Sequence, residues 1–168
     1  LTLGYSSGGA GDSWVGYGWN LGLGSIQRSL KNGVPQYNDE TDVFVLDGQE
    51  LVPDETVPAR YHTRRESFLR IDRLEDGSWV VRSPDGTASH YGATSNARVG
   101  PTSVETYSWF LSDRIDLHGN AFSVQYDEAD AGNRHPAEIR YGQRAGTSGL
   151  ESLNPANPES VDRVVRFI

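Results

Sequence analysis

The sequence predicts an all-β fold of mostly antiparallel strands, forming a meander, a sandwich-like pair of sheets or a shell-forming sheet, with few or no helices. Apolar and polar residues alternate at period two over much of the chain, and no window of about 12 residues keeps an apolar stripe at the helical period. Turn signals separate these runs roughly every 8 to 15 residues, a spacing that favours antiparallel hairpins over βαβ units.

The first predicted strand covers residues 18–24, where Trp19, Leu21 and Leu23 share one face and glycines occupy the other. It follows a glycine-rich aromatic segment, residues 5–19, whose composition is typical of an architectural joint in a β protein. Further strands are predicted at 42–46, 68–74, 79–82, 87–91, 122–126, 139–141 and 161–167.

The longest alternating run, residues 107–118, predicts one long strand. Trp109, Leu111 and Asp113 lie on the same face of that strand, and a bend is expected near Asp113. Turn chemistry separates the strands, and residues 142–160 are expected to form a polar loop that contains two Asn-Pro pairs. The predicted turns carry Asp-Gly or a related pair and lie at 47–48, 76–77, 85–86 and 118–120.

Charge and composition narrow the class of function. A chain of 168 residues can bury a substantial core, and its net charge of −8 argues against a nucleic-acid partner. Cysteine is absent, which removes disulfides and cysteine-bound zinc, and no apolar run is long enough to cross a membrane. The chain has no methionine and stops in the apolar run VVRFI, so we expect a single β region, residues 1–168, of a longer protein.

The sequence matches known catalytic and metal-binding motifs only weakly. Gly4-Tyr5-Ser6-Ser7-Gly8 matches the G-x-S-x-G nucleophile elbow, but that motif needs a helix directly after the serine, and glycines follow here. Ser6 is therefore expected to be a turn residue. The four histidines, at positions 62, 90, 118 and 135, lack the spacing of a metal site. No catalytic, cofactor-binding or metal-binding residue is predicted.

Acidic and aromatic side chains have structural interpretations. The acidic clusters at 39–42, 54–55 and 127–130 are expected to be solvated loop charge. Trp19 and Trp109 alternate with apolar neighbours and should lie in the core, whereas Trp14 is the best candidate for an exposed ring. A sugar-binding face lined by Trp14, Trp19, Trp79 and Trp109 remains an alternative.

Ordered motifs along the chain resemble the SpvB/TcB family, which includes the Salmonella virulence plasmid B protein and the B components of bacterial toxin complexes. The N-terminal signature appears as LTLGYSSGGAG followed by GYGWNLGLGSIQRS. Later motifs include Gly33-Val34-Pro35-Gln36-Tyr37, then VFVLDGQELVP, and arginines that lead into an aromatic residue and a strand, Arg64-Arg65-Glu66-Ser67-Phe68-Leu69-Arg70-Ile71. The set ends with Ser108-Trp109-Phe110-Leu111-Ser112 and Glu138-Ile139-Arg140-Tyr141-Gly142.

This resemblance implies a non-catalytic structural role in a secreted bacterial toxin or RHS-type protein. Relatives of this kind build, with a partner that carries RHS repeats, a shell around a toxic polypeptide, or precede an ADP-ribosyltransferase domain. Glu-x-Glu, which such a transferase would need, is absent here. The expected partners are adjacent β modules of the parent chain and an RHS-repeat toxin protein.

Two alternatives remain: a carbohydrate- or cell-surface-binding β-sandwich, and a hydrolase that uses Ser6 or an acidic pair. For the structural role, the expected mechanism is strand addition at the edge that VVRFI offers.

Overall fold

The computed structural model describes residues 4–5, 19–102, 105–127, 134–144 and 163–167. Within these ranges the regular structure is β-strand and one short 3₁₀ helix, Ser95–Ala97, which confirms the all-β prediction. The described ranges contain no helix long and apolar enough to cross a membrane. The strands are β1 Gly4–Tyr5, β2 Trp19–Asn20, β3 Ser25–Arg28, β4 Phe44–Leu46, β5 Gln49–Pro53, β6 Arg60–Thr63, β7 Arg70–Arg73, β8 Trp79–Arg82, β9 Ala88–Tyr91, β10 Arg98–Val99, β11 Ser108–Ile115, β12 Asn120–Asp127, β13 His135–Arg144 and β14 Arg163–Arg166.

Eight antiparallel strands close into a barrel. Strands β3 to β9 pair in chain order, and β11 joins both ends because it pairs with β3 and with β9. The sequence predicts several of these strands, but the pairing of β9 with β11 connects residues that no local pattern relates. Closure removes the edges that an open sheet would expose.

Aspartate and glycine set the tight turns of the barrel. At the β4–β5 turn both Asp47 and Gly48 have positive φ, 48° and 82°, which matches the twist of a two-residue hairpin. The β7–β8 and β8–β9 turns place Gly77 and Gly86 at φ near 80°, and the aspartate before each glycine accepts a hydrogen bond from the N–H two residues after it. The turn predictions are thus confirmed at these positions.

Strand β11 belongs both to the barrel and to an extension of the same sheet. Its first residues pair with β3 and its last residues, Asp113 to Ile115, pair with β12. From there β12, β13 and β14 extend the sheet beyond the barrel. A shift of register between Leu111 and Asp113, opposite β9, lies at the position where a bend was predicted.

Two sequence predictions need correction. The predicted strand over 18–24 ends at Asn20, because Gly22 and Gly24 adopt φ of 56° and 77° and turn the chain. Strand β13 continues to Arg144, so the first residues of the predicted polar loop are strand, and the rest of that loop lies outside the described residues. Among β3 to β14, strands β3, β5, β6 and β10 lie outside the predicted strands.

An aromatic cluster fills one end of the barrel interior. Phe44, Trp79 and Trp109 are at most 1% exposed, and Tyr61 packs against them. The rings meet edge to face at centroid distances of 4.9–5.9 Å, the preferred geometry for such pairs. Trp109 is therefore a core residue, as predicted.

Candidate functional site: an open sheet edge, a charged barrel end and a buried histidine

Arg28 closes one end of the barrel with buried charge. It follows Ile26 at the inward positions of β3, and its side chain is 3% exposed. Its Nε donates to the Thr106 carbonyl at 2.9 Å, and its two Nη atoms pair with Asp42 at 2.8 Å and Asp39 at 2.5 Å. Burial would raise the pKa of Asp42, but hydrogen bonding from the Gln36 backbone and the Arg28 charge hold that pKa below its usual value.

The prediction of solvated loop charge at 39–42 is therefore wrong for Asp42, whose side chain is only 8% exposed. An inward position on an alternating strand, occupied by arginine, was the signal that could have revealed the pair. A charge inside a wall of apolar neighbours requires a partner.

Arg73 adds a second cation at the same end. Its Cζ lies 4.7 Å from the Trp79 ring centroid and 4.6 Å from that of Trp109, and its Nη2 lies 3.1 Å from Asp39 Oδ2. Burial lowers the pKa of Arg73. With Arg28, Asp39 and Asp42 it forms a group whose formal charges cancel. These side chains bind one another, and the arrangement closes the barrel end.

A cavity of about 630 Å³ lies beside this end, and its lining includes Asp76, Arg98 and Thr106. The Arg98 guanidinium is already engaged, because Nε donates to the Gly92 carbonyl at 2.5 Å and both Nη atoms contact Asp76. No serine–histidine pair lines this cavity within the described residues.

The structure brings together a serine, a histidine and an aspartate that the sequence did not relate. Ser78 Oγ lies 3.1 Å from His90 Nε2, and His90 Nδ1 lies 3.7 Å from Asp113 Oδ2. The three come from the start of β8, from β9 and from β11, which are adjacent in the barrel wall. His90 lies on a strand, as expected, and Asp113 is the one carboxylate of β11.

Hydrogen-bond polarity separates this arrangement from a Ser-His-Asp triad. Ser78 Oγ donates its proton to Asp76 Oδ1 at 2.6 Å, so it accepts from His90 Nε2–H. In a triad the histidine accepts from the serine and donates through Nδ1 to the aspartate. Ser78 is also fully buried, so a substrate has no path to its oxygen.

Asp113 is a buried carboxylate with few neighbouring groups that could stabilise its negative charge. Its side chain is 10% exposed, and its Oδ1 has no hydrogen-bond partner in the described structure. Burial raises the pKa of Asp113 to about 7, and burial likewise lowers the pKa of His90. Asp113 is therefore the group in this wall that changes charge near neutral pH.

The other candidates from the sequence do not converge. His62 and His118 are exposed, His135 begins β13, and Asp54 caps its own turn by accepting from Thr56. Across the ranges given above, no group of three His, Cys, Asp or Glu side chains could hold a metal. Ser6 and Trp14 lie outside the described residues, as do the side chain of Trp19 and two of the residues in the 127–130 cluster.

Strand β14 forms the outer edge of the extension. It pairs with β13 through residues 163 to 166, and it is the last strand in the sheet order of the described residues. Glu138 of β13 accepts hydrogen bonds from Arg166 of β14 and from Arg140, and these bonds lower its pKa.

Both faces of β14 expose apolar side chains. Val164 and Val165 are 44% and 41% exposed although consecutive residues of a strand point to opposite faces, and Phe167 is 37% exposed. A strand edge with apolar residues on both faces is the kind of surface that natural proteins cover or pair.

Comparison with known proteins identifies the family. Residues 1–68 and 56–154 match the family model described as Salmonella virulence plasmid 65kDa B protein. The chain belongs to the SpvB family. It is 26% identical over 203 residues to the mono(ADP-ribosyl)transferase SpvB of Salmonella choleraesuis, a match that covers 94% of this chain and 34% of the relative. The chain thus spans about a third of the length of the curated relatives it matches.

Solved structures share the fold of this SpvB-family chain. The N-terminal domain of effector protein SpvB from Salmonella typhimurium superposes with a TM-score of 0.74 at 26% identity, covering 95% of this chain and 63% of that domain. The Photorhabdus luminescens Tc holotoxin pore gives 0.74 at 27% identity, with 94% of this chain and 9% of that one covered. The crystal structure of TcdB2-TccC3 gives 0.71 at 27% identity, covering 94% of this chain and 10% of that one. The chain is thus similar to toxin-associated proteins, and in SpvB the match falls on the N-terminal domain.

Proposed function

We propose that this chain is a non-catalytic structural module of a longer, secreted bacterial toxin-type protein. The barrel provides a stable base, and the β12–β14 extension continues into neighbouring β modules of the same polypeptide. The resulting wall encloses or delivers a toxic cargo together with an RHS-repeat partner.

The observation that carries the proposal is the edge of β14 with apolar residues on both faces. Strand addition would satisfy the N–H and C=O groups that point away from β13, and a neighbouring module would cover Val164, Val165 and Phe167. The similarity to a toxin-complex pore and to TcdB2-TccC3 supports an assembly role. Ser78, which is hydrogen bonded to His90, is fully buried, which supports a role without nucleophilic catalysis.

Replacement of Val165 by Asp tests the proposal in two forms of the protein. In the 168-residue chain the side chain is 41% exposed, so V165D should change the free energy of unfolding by less than about 1 kcal/mol. In the full-length protein the same change should cost roughly 2–4 kcal/mol, because a charge would be buried against the next module. Urea denaturation followed by fluorescence measures both values.

Val34 provides the matched control, since it is 79% exposed on the β3–β4 loop, and V34D should be mild in both forms. Amide hydrogen exchange at 163–167 should also slow at least about tenfold in the full-length protein. Equal exchange and equal V165D costs in the two forms would show that β14 stays uncovered, and the proposal would fail.

A further inference from the structure

The β6–β7 loop, residues 64–69, presents an aromatic ring that the fold does not use. Phe68 is 78% exposed and has φ of 57°, a left-handed conformation that is rare for a bulky residue. Its N–H donates to Glu66 Oε1 at 2.6 Å, and the hydroxyls of Thr63 and Ser67 are hydrogen bonded at 2.6 Å. These bonds hold the backbone in place, while the ring itself gains almost no burial.

Glycine or asparagine would satisfy this backbone at lower cost than phenylalanine. Other bulky residues with positive φ compensate: Tyr37, at φ 56°, is half-buried, and the Arg28 guanidinium lies 5.6 Å from its ring. Phe68 has no comparable packing. A strained backbone that presents an exposed aromatic ring indicates a role outside the folded chain.

The loop adjoins a basic surface on a chain whose net charge is −8. On β6 to β8, the Asp72 carboxylate is shared by Arg60, Arg70 and Arg82 at 2.8–3.1 Å. Next to it Glu50 pairs with Arg64 at 2.6 Å and with Lys31 at 3.5 Å. Together with Arg65 and Glu66 of the loop, this surface carries an excess of three positive charges.

We propose that Phe68 and this basic surface dock against another segment of the parent polypeptide, an apolar pocket bordered by Asp and Glu side chains. The inference rests on the proposed function, since it requires a longer chain, and it adds a second interface separate from β14. Phe68 supplies the buried anchor, and the arginines supply charge complementarity at its rim. The relatives extend well beyond the matched region, so the polypeptide to supply such a pocket exists in them.

Photo-cross-linking from position 68 tests the docking. p-Benzoylphenylalanine is placed at position 68 of the full-length protein, and at position 34 as the control, because Val34 is equally exposed but lies on another loop. Position 68 should cross-link to one segment outside residues 1–168 that contains apolar residues flanked by Asp or Glu. Arg65→Glu should lower this yield roughly threefold to tenfold, and Arg65→Lys should leave it unchanged.

A yield at position 68 no higher than at position 34, or cross-links only to a second copy, would overturn the inference. The backbone strain at position 68 can be measured in the 168-residue chain. Phe68→Gly and Phe68→Asn should relieve this strain and raise the melting temperature by roughly 2–5 °C. A lower melting temperature would show that the Phe68 ring stabilises the fold, and this result would also overturn the inference. Protection of amides 163–167 without cross-linking at 68 would leave the proposed function intact, so the two failures are distinguishable.

Discussion

Asp113 makes the stability of this barrel depend on pH in an unusual direction. Its pKa is about 7 in the folded protein against 3.8 for an unburied carboxyl, so the folded state binds this proton more tightly than the unfolded state does. Stability contributed by this group therefore increases as pH falls from about 8 towards 4, and it is lost as pH rises through 7. Replacement of Asp113 by Asn should remove this dependence.

The size of the effect follows from the shift. About three pKa units correspond to roughly 4 kcal/mol, an upper value because local relaxation admits water to the charged form. We expect D113N to stabilise the protein by about 2–4 kcal/mol at pH 8.5 and by close to zero at pH 4. The Asn side chain has nearly the size and shape of the protonated carboxyl, so the native packing around position 113 is retained.

Urea denaturation of both variants at the two pH values measures this difference. Asp76, Arg82 and Arg98 are the charged groups that act on His90 beside the site, and all are present in both proteins, so the two proteins differ only at position 113. D116N is the control, because it should change the free energy of unfolding at pH 8.5 in the opposite direction. Asn120 and His118 hydrogen-bond the Asp116 carboxylate and lower its pKa, so its loss should destabilise at pH 8.5.

A stabilisation of D113N that is equal at pH 4 and pH 8.5 would refute the reasoning, because it would assign the effect to packing or hydrogen bonding rather than to charge. A destabilisation at pH 8.5 would show that ionised Asp113 pairs favourably with His90.

Two further predictions concern the barrel interior. Arg28→Met should destabilise by about 3–5 kcal/mol because it leaves Asp42 buried without its partner, and Asp42→Leu in the same protein should recover most of the loss in urea denaturation. Gly92→Ala should lower the melting temperature by several degrees, because a Cβ would lie 2.3 Å from Trp109 Cδ1 and φ is 68°. Gly48→Ala is the control, since its φ is 82° but no atom lies within 4 Å of the added Cβ, and only the backbone cost applies. Equal losses for Gly92→Ala and Gly48→Ala would contradict the packing argument.

Much of the secondary structure followed from period-two patterning and Asp-Gly turns. The 79–82 and 87–91 predictions match β8 and β9 because their alternation is bounded by such turns. Strands β5 and β6 were not predicted because polar and charged residues alternate there on the outer face of a closed barrel, as at Arg60 and His62. Residues 18–24 were wrongly predicted to be one continuous strand. Leu21 and Leu23 fit the alternating pattern, but Gly22 and Gly24 turn the backbone.

The candidate sites depended on contacts that sequence does not encode locally. Arg28 meets Asp42 across the β3–β4 loop, and Ser78, His90 and Asp113 meet because β8, β9 and β11 are neighbours after closure. An arginine and an aspartate within apolar alternating runs were the visible signals. The apolar run at 164–168 was recognised from sequence, and its described residues lie on the outermost strand of the extension.

Because β11 is shared between the barrel and the extension, the strand pairing that joins the two is a short ladder at Asp113 to Ile115. A force perpendicular to the strands would break the hydrogen bonds of this ladder one after another. A force parallel to the strands would load all of these hydrogen bonds at the same time. In the proposed assembly, the direction of the force on the extension would therefore set the load at which β12 separates from β11.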